Sequence, residues 1–465
     1  MALVDVGQVL DEGRWSGYQK LLIAGTALTI ILDGIDNQLL SYAIPHMGAE
    51  WSVTDPNAFA NVQFFGPIGM LFGGLFGGIL GDRIGRRSAL LLSVITFSAM
   101  TLAISTVDSI PMLVVLRFLS GLGLGGAMPN AAALSSEYVP KRKRAFAVTL
   151  TVICIPLGGF VAAYLSGRVL PHYGWRPLFM LGGIIPMVLA LLLFKILPES
   201  PRFLASRRDR WPELIALLRK FGYTVTSDVT FVQSGTDDSS KSNASIRDLF
   251  APAFRLDTLC LFGAFFFCLL ANYIGIQWLP KMLAGQGFTT EYQTDAGKYW
   301  NLGGVGGALL GAYMIQQLGS RIPMLGMSVI SIVCALVLTS LRIDPANPLG
   351  LMVMMVLLGG FMNAVQTTMY ALAANVYPTA IRGTGIGTAV AVGRIGNAMA
   401  GYVGPLAINR GTAAYFGSFA ITMAFTLGSL ALIRRHIGGT PKGGTQSGAR
   451  IAHNDSPSHI ARIGS

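Results

Sequence analysis

Gly81-Asp82-Arg83-Ile84-Gly85-Arg86-Arg87 is a charged, glycine-bounded turn between two uncharged runs, Ala58–Leu80 and Ser88–Ser105. Gly319-Ser320-Arg321-Ile322 echoes its first four residues at an offset of 238 (319 − 81). The same offset relates Gly121 to Gly359, Pro140 to Pro378 and Arg144 to Arg382. One register across separated turns and runs predicts two halves of like architecture. Such a parallel repeat places a binding site at the interface of the halves, near the midplane.

Composition fits that frame. Of 465 residues, 52% are hydrophobic and only 12% charged, about half the charged fraction of a soluble domain. Runs long enough to cross a bilayer occupy Tyr18–Pro45, Ala58–Leu80, Ser88–Ser105, Pro111–Ser136, Ala145–Ser166 and Leu178–Leu197. Six more follow at Leu256–Leu283, Ala296–Gln316, Pro323–Leu341, Leu349–Ala374, Thr384–Ile408 and Ala413–Ile433. They predict an all-α membrane protein of twelve transmembrane helices in two six-helix halves, the major facilitator type of fold. The short alternating segments of a transmembrane barrel do not dominate. The first run has no cleavage-site pattern after it and reads as a retained helix, not a signal peptide.

The net charge of +12 sits in alternate loops: Arg83, Arg86 and Arg87, then Lys141 to Arg144, then many between Arg202 and Arg255, then Arg434 and Arg435. Intervening loops such as Met47–Asn57 and Ser105–Pro111 carry no lysine or arginine. This positive-inside pattern places both termini in the cytoplasm and argues against nucleic acid as a partner. The expected division is an N-terminal segment 1–17, a bundle 18–197, a cytoplasmic linker 198–255, a second bundle 256–433 and a tail 434–465. Within the linker, Trp211–Phe221 reads as an amphipathic helix along the membrane surface and 233–243 as a flexible spacer. Asn243-Ala244-Ser245 fits a glycosylation sequon but lies on the cytoplasmic side, so it is set aside. The tail reads as polar and disordered. Cys154, Cys260, Cys268 and Cys334 all fall in apolar runs without Cys-x-x-Cys spacing, so neither a metal site nor a disulfide framework is expected.

Charges inside the apolar runs mark the functional candidates. In Ile31-Leu32-Asp33-Gly34-Ile35-Asp36-Asn37-Gln38, counting about 1.5 Å per residue from Lys20 puts the two aspartates some 20–24 Å into the helix. A carboxylate there costs about 2.5–3.5 kcal/mol on insertion scales. Asp33 and Asp36 project from nearly one face, which Asn37 extends, suggesting a proton or cation site. Under the constant offset they correspond to Ala271 and Ile274, so the acidic pair belongs to the first half alone. Arg394, about 15 Å into the eleventh run, corresponds to Pro156. Its guanidinium can grip a carboxylate with two parallel hydrogen bonds, and Asn397 shares its face. The competing role for Arg394 is a salt bridge to an aspartate of the other half.

Asn363, Gln366 and Tyr370 form one polar stripe on the tenth run, and Tyr273, Gln277 and Trp278 a second group on the seventh. Both suit an aromatic ring bearing hydroxyls, and both equally suit hydrogen bonding between helices. Arg117, about 9 Å from the outer end of its helix, is placed to pair with Asp33 or Asp36. Gly121-x-Gly123-x-x-Gly126 matches the dinucleotide fingerprint formally but lies in an apolar helix, where it indicates close helix packing. No Walker phosphate loop is present, which argues against direct coupling to ATP. Asp82, Arg83, Arg86, Arg87, Glu137 and Arg144 are candidate gating residues at the cytoplasmic turns; topology control by positive charge is the alternative.

These residues resemble the major facilitator superfamily over nearly the whole chain, Gly81–Arg87 being similar to its signature between the second and third helices. Asp33-Gly34-Ile35-Asp36 resembles the Asp-Gly-aromatic-Asp signature of the aromatic acid:proton symporters, with Ile35 in place of the aromatic residue. Further segments are similar to that family: Arg117–Asn130, Ser136–Pro140, Leu197–Arg202 and Gly393–Gly396. Cys154–Gly159 resembles the antiporter signature of the fifth helix only in part. The resemblance implies proton-driven uptake of benzoate-like or hydroxylated aryl acids across a bacterial inner membrane. It also implies coupling by Asp33 and Asp36, gating by Asp82 and its arginines, and substrate binding by Arg394. The expected partners are a small aromatic acid, protons and the lipid bilayer; the chain is read as a monomer without a cofactor and not as an enzyme. A proton-driven exporter, and a membrane sensor that binds aromatic acids without moving them, are the alternatives.

Overall fold

The computed structural model describes residues 2–12, 15–53, 55–223, 229–232, 245–341 and 343–438. A spanning segment meets no water that can satisfy its backbone N–H and C=O groups, so the apolar runs become helices. A short strand β1 (Ala2–Asp5) and helix α1 (Val6–Glu12) lead into α2 (Gly17–Glu50), α3 (Ala60–Ile84), α4 (Arg86–Ile104), α5 (Ile110–Glu137), α6 (Arg144–Tyr173) and α7 (Trp175–Ile196). The connecting segment holds α8 (Pro201–Ala205), α9 (Trp211–Phe221) and strand β2 (Val229–Val232). The second half is α10 (Arg255–Gly285), α11 (Thr290–Leu318), α12 (Arg321–Ser340), α13 (Leu349–Val376), α14 (Thr379–Asn409) and α15 (Thr412–Leu432).

Matching turns in the two halves hinge on glycines in the left-handed region: Gly85 (φ 101°) and Gly319 (φ 77°), then Gly174 (φ 76°) and Gly411 (φ 102°). These positions favour glycine because a Cβ is strained there. At Gly85 a Cβ would also lie 2.2 Å from Glu199 Oε2.

The turns correct the register of the repeat. Gly85, not Gly81, is the counterpart of Gly319, at an offset of 234 (319 − 85). Helices α2 and α10 carry Pro45 and Pro280, an offset of 235 (280 − 45). Pro140 and Pro378 retain 238 (378 − 140). Unequal loops shift the register from helix to helix, and a four-residue match comes easily in a chain with 57 glycines. Asp33 and Asp36 therefore correspond to Cys268 and Ala271; neither is acidic, so the acid pair still belongs to one half.

Between the halves, α2 packs on α10, α3 on α14 and α6 on α11. Ten of the long helices are apolar enough to cross a membrane on composition alone. The other two, α11 and α14, carry Asp295, Lys298 and Arg394 and spend much of their surface on the opposite half. Side-chain hydrogen bonds seal the halves together at the end remote from the Gly81–Arg87 turn. Gln38 and Asn301 exchange amide bonds of 3.0 and 2.9 Å. Gln63 donates to the Gln277 carbonyl (3.3 Å), Tyr402 donates to Asn61 (2.7 Å), and Thr290 meets His46 (3.3 Å).

Losing the buried Gln38–Asn301 pair should loosen this seal. Each of the two hydrogen bonds is worth about 1 kcal/mol net, so Asn301→Ala is expected to raise the open population about 30-fold. Spin-label distances between positions 57 and 410, both exposed at that end, check this; an unchanged distribution rejects it.

The Trp211–Phe221 helix forms, but its apolar face meets protein instead of lipid. Leu214, Leu217, Leu218 and Phe221 are buried, and the Phe221 ring lies 6.1 Å from that of Tyr18 and 6.5 Å from that of Tyr138. Trp211 meets Phe231 of β2 edge-on at 5.4 Å. Strand β2 pairs in parallel with β1, Ala2 opposite Val229. The expected spacer 233–243 and the tail from 439 onward lie outside the described residues. The first tail residues do dock: Arg434 N–H donates to Asp257 (2.7 Å) and Ile437 N–H to Ser320 (2.9 Å).

Candidate functional site

Helix α2 carries both aspartates, yet the one-sixth-turn difference in direction between i and i+3 gives them different surroundings. Asp36 is fully buried among α4 and α5. Arg117 donates to Asp36 Oδ2 at 3.0 Å, to the Asp36 carbonyl at 3.3 Å and to the Asn37 carbonyl at 3.1 Å. Ser120 donates to Oδ2 at 3.2 Å, and Thr101 donates to Oδ1. Space for the arginine comes from Gly66, where a Cβ would stand 3.1 Å from Arg117 Cγ. Asp36 is thus a saturated carboxylate, closed off from the interface.

Asp33 is its opposite. It keeps solvent-accessible surface although it lies deep in the bundle, and among the described residues it has no hydrogen bond or ion pair. Arg394 is likewise half-buried, and it too lacks an ion-pair contact among the described residues. The expected single acidic face therefore divides into one occupied group and one open group.

Tyr273 of α10 and Tyr370 of α13 are half-buried like Arg394, on helices that pack on each other and on α14. Asn37 of α2 is half-buried as well. Asn363, Gln366 and Tyr370 are all half-buried on the cleft face of α13. Asn272 of α10 donates to Asn363 (3.3 Å) and to Gln366. Acidic, basic, aromatic and amide groups thus stand half-buried on α2, α10, α13 and α14, where α10 packs on the other three.

Three residues expected in that group are used elsewhere. Trp278 is fully buried, donates to the Ala400 carbonyl (3.0 Å) and packs against Gly404, where a Cβ would be 2.2 Å from its ring. Gln277 donates to Asn397 Oδ1 at 2.9 Å, and both side chains are buried between α10 and α14. Asn397 accordingly does not share the open face of Arg394. The three side chains join helices within the second half.

At the charged turn, Asp82 pairs with Arg86, while Arg83 is exposed. Arg87 N–H donates to Glu199 (2.9 Å), and its guanidinium lies over the Phe194 ring at 5.0 Å. Ser200 donates to Glu137. Arg144 opens α6; its side chain lies outside the described residues. Residues not singled out from the sequence include Glu199, Thr101, Ser120, Gln38, Asn301 and Asn272. Glu199, Ser120 and Gln38 lie within stretches given above, but, like Thr101, Asn301 and Asn272, they carry no local signal of their partners.

The sequence model described as Major Facilitator Superfamily matches residues 26–401 and, again, 300–452. The chain belongs to the major facilitator superfamily. This facilitator is 30% identical to a gallate transporter of Pseudomonas putida, over 88% of its own length and 90% of the relative's. It is 31% identical to the 3-(3-hydroxy-phenyl)propionate transporter of Escherichia coli K12, over 87% and 89% of the two chains. Among solved structures, its fold is similar to the xylose transporter XylE of Escherichia coli in a partially occluded inward open conformation. That match has a TM-score of 0.68 at 16% identity and covers 89% of this facilitator and 98% of XylE.

Proposed function

We propose that this facilitator takes up an aromatic carboxylate together with at least one proton, by alternating access between its halves. What supports the reading is that Asp33 of α2 and Arg394 of α14, half-buried charges in different halves, each lack a bonded partner among the described residues. A cargo carboxylate on Arg394 removes the cation that favours ionised Asp33, so binding cargo and binding a proton assist one another. Arg117 holds Asp36 as the fixed member of the pair. Tyr273, Tyr370, Gln366, Asn363 and Asn37 line the ring end of the site. Asp82, Arg86, Arg87 and Glu137, with Glu199, form the gate at the basic end, and the bonded opposite end is the closed outer side.

The excess of lysine and arginine at the turn-bearing end supports an inner-membrane orientation with both termini cytoplasmic. We take the halves as 18–197 and 256–433, acting within one monomer. The relatives named for gallate and hydroxyphenylpropionate transport support the cargo class. The test is uptake of labelled 4-hydroxybenzoate or 3-hydroxyphenylpropionate into energised vesicles. Uptake that a protonophore abolishes supports the reading; extrusion, or binding without flux, overturns it.

The role of Arg394 has its own expected result. Lysine keeps the charge but lacks the two-pronged geometry, and a charge-assisted hydrogen bond is worth about 1.5–3 kcal/mol. Arg394→Lys should raise the KM for uptake about 10- to 100-fold. An unchanged KM removes Arg394 from the carboxylate site.

A further inference from the structure

We infer that Asn272 sets the hydrogen-bond polarity of Gln366 at the ring end of the cleft, so that its donors select aromatic acids bearing a hydrogen-bond acceptor. The inference rests on the proposed aromatic carboxylate cargo and narrows its class. Orientation starts from a group that cannot be reversed, a backbone carbonyl. Asn363 Nδ2 donates to the Gly359 carbonyl one turn earlier, at 2.8 Å. Its Oδ1 must then face away, and Asn272 Nδ2 meets it at 3.3 Å. The same Nδ2 donates to Gln366 Oε1, which uses the acceptor of that amide. A single carbonyl thereby orients three side-chain amides in series.

The arrangement leaves Asn272 Oδ1 buried without a partner. Turning the amide over would place that oxygen against two other oxygens, so the unpaired orientation is retained. The consequence appears at the cleft. Gln366 turns its carbonyl oxygen toward Asn272 and so its N–H donors away from it. Arg394, a guanidinium, can only donate. A ring oxygen or ring nitrogen is matched by these donors; an apolar substituent leaves them unpaired, and an ammonium group opposes them.

Asn272 itself is a positioning residue, buried behind Asn363 and Gln366. Selectivity, not affinity alone, is therefore the measurement that distinguishes it from a merely structural side chain. Equilibrium binding to the full-length protein in lipid nanodiscs would compare 3- and 4-methoxybenzoate with 3- and 4-methylbenzoate, which have similar size but differ in the acceptor. The better methoxy isomer is expected to bind about tenfold tighter than its methyl counterpart. In Asn272→Leu the ratio should fall within about twofold while binding of unsubstituted benzoate persists. Gln366→Met removes the donor directly, leaves Asn272 in place and should give the same loss if Asn272→Leu does not fold. Equal binding of the matched pair by the unaltered protein, or a ratio that survives both variants, overturns the inference and leaves the carboxylate reading standing. Failure to bind any benzoate overturns both.

Discussion

With Asp33 replaced by asparagine, the protein is expected to exchange aromatic acid across a sealed membrane but no longer to concentrate it. Asparagine imitates the protonated carboxyl in size and polarity without the ability to release a proton. A gradient of one pH unit is worth about 1.4 kcal/mol per proton, which supports about tenfold accumulation of a cargo moved with one proton. In Asp33→Asn proteoliposomes that ratio should fall to about one, while counterflow between equal internal and external concentrations continues. Asp33 fits this part because it is open to the cleft and has no hydrogen bond or ion pair among the described residues. Continued tenfold accumulation by the variant would move the proton elsewhere.

Asp36 should fail in another way. Its carboxylate is fully buried with Arg117, which is itself only 3% exposed, and Thr101 and Ser120 complete its bonds. Removing one member of a buried ion pair leaves an uncompensated charge and costs about 3–5 kcal/mol. Arg117→Leu is therefore expected to lower thermal stability in detergent sharply and to reduce the amount of folded protein in the membrane. Adding Asp36→Asn removes the stranded charge, so the double variant should recover most of that loss. A double-mutant cycle on the melting transition measures the coupling directly. If the losses of the single variants simply add, the pair is not the structural clamp described above.

The fold was legible because membrane spans and turns announce themselves locally. A run of twenty apolar residues permits few structures, and Gly85 and Gly319 mark breaks that other residues tolerate poorly. The exact correspondence between the halves was less legible, since Gly81 and Gly319 share a short string but not a structural position. At the site, Asp33, Asp36, Arg117 and Arg394 could be found individually, because a charge in an apolar helix is conspicuous. Which aspartate Arg117 would take depended on helix rotation and on Thr101 and Ser120 from two other helices. Trp278, Gln277 and Asn397 showed the reverse problem: residue types suited to an aromatic ligand were used to join α10 to α14. Asn272 gave no sign at all, because its importance lies in the two amides that it orients.

Strand β1 lies beside β2, which brings the first residues of the chain against the segment leaving the first bundle. The first bundle consequently has its own fastening, complete by Val232, before any residue of the second bundle has been made. During synthesis it can close while its sibling is still unmade, and the remaining connection need only keep the two modules together. In that sense the transporter is a tethered heterodimer: the covalent link supplies proximity, and complementary surfaces supply the fit.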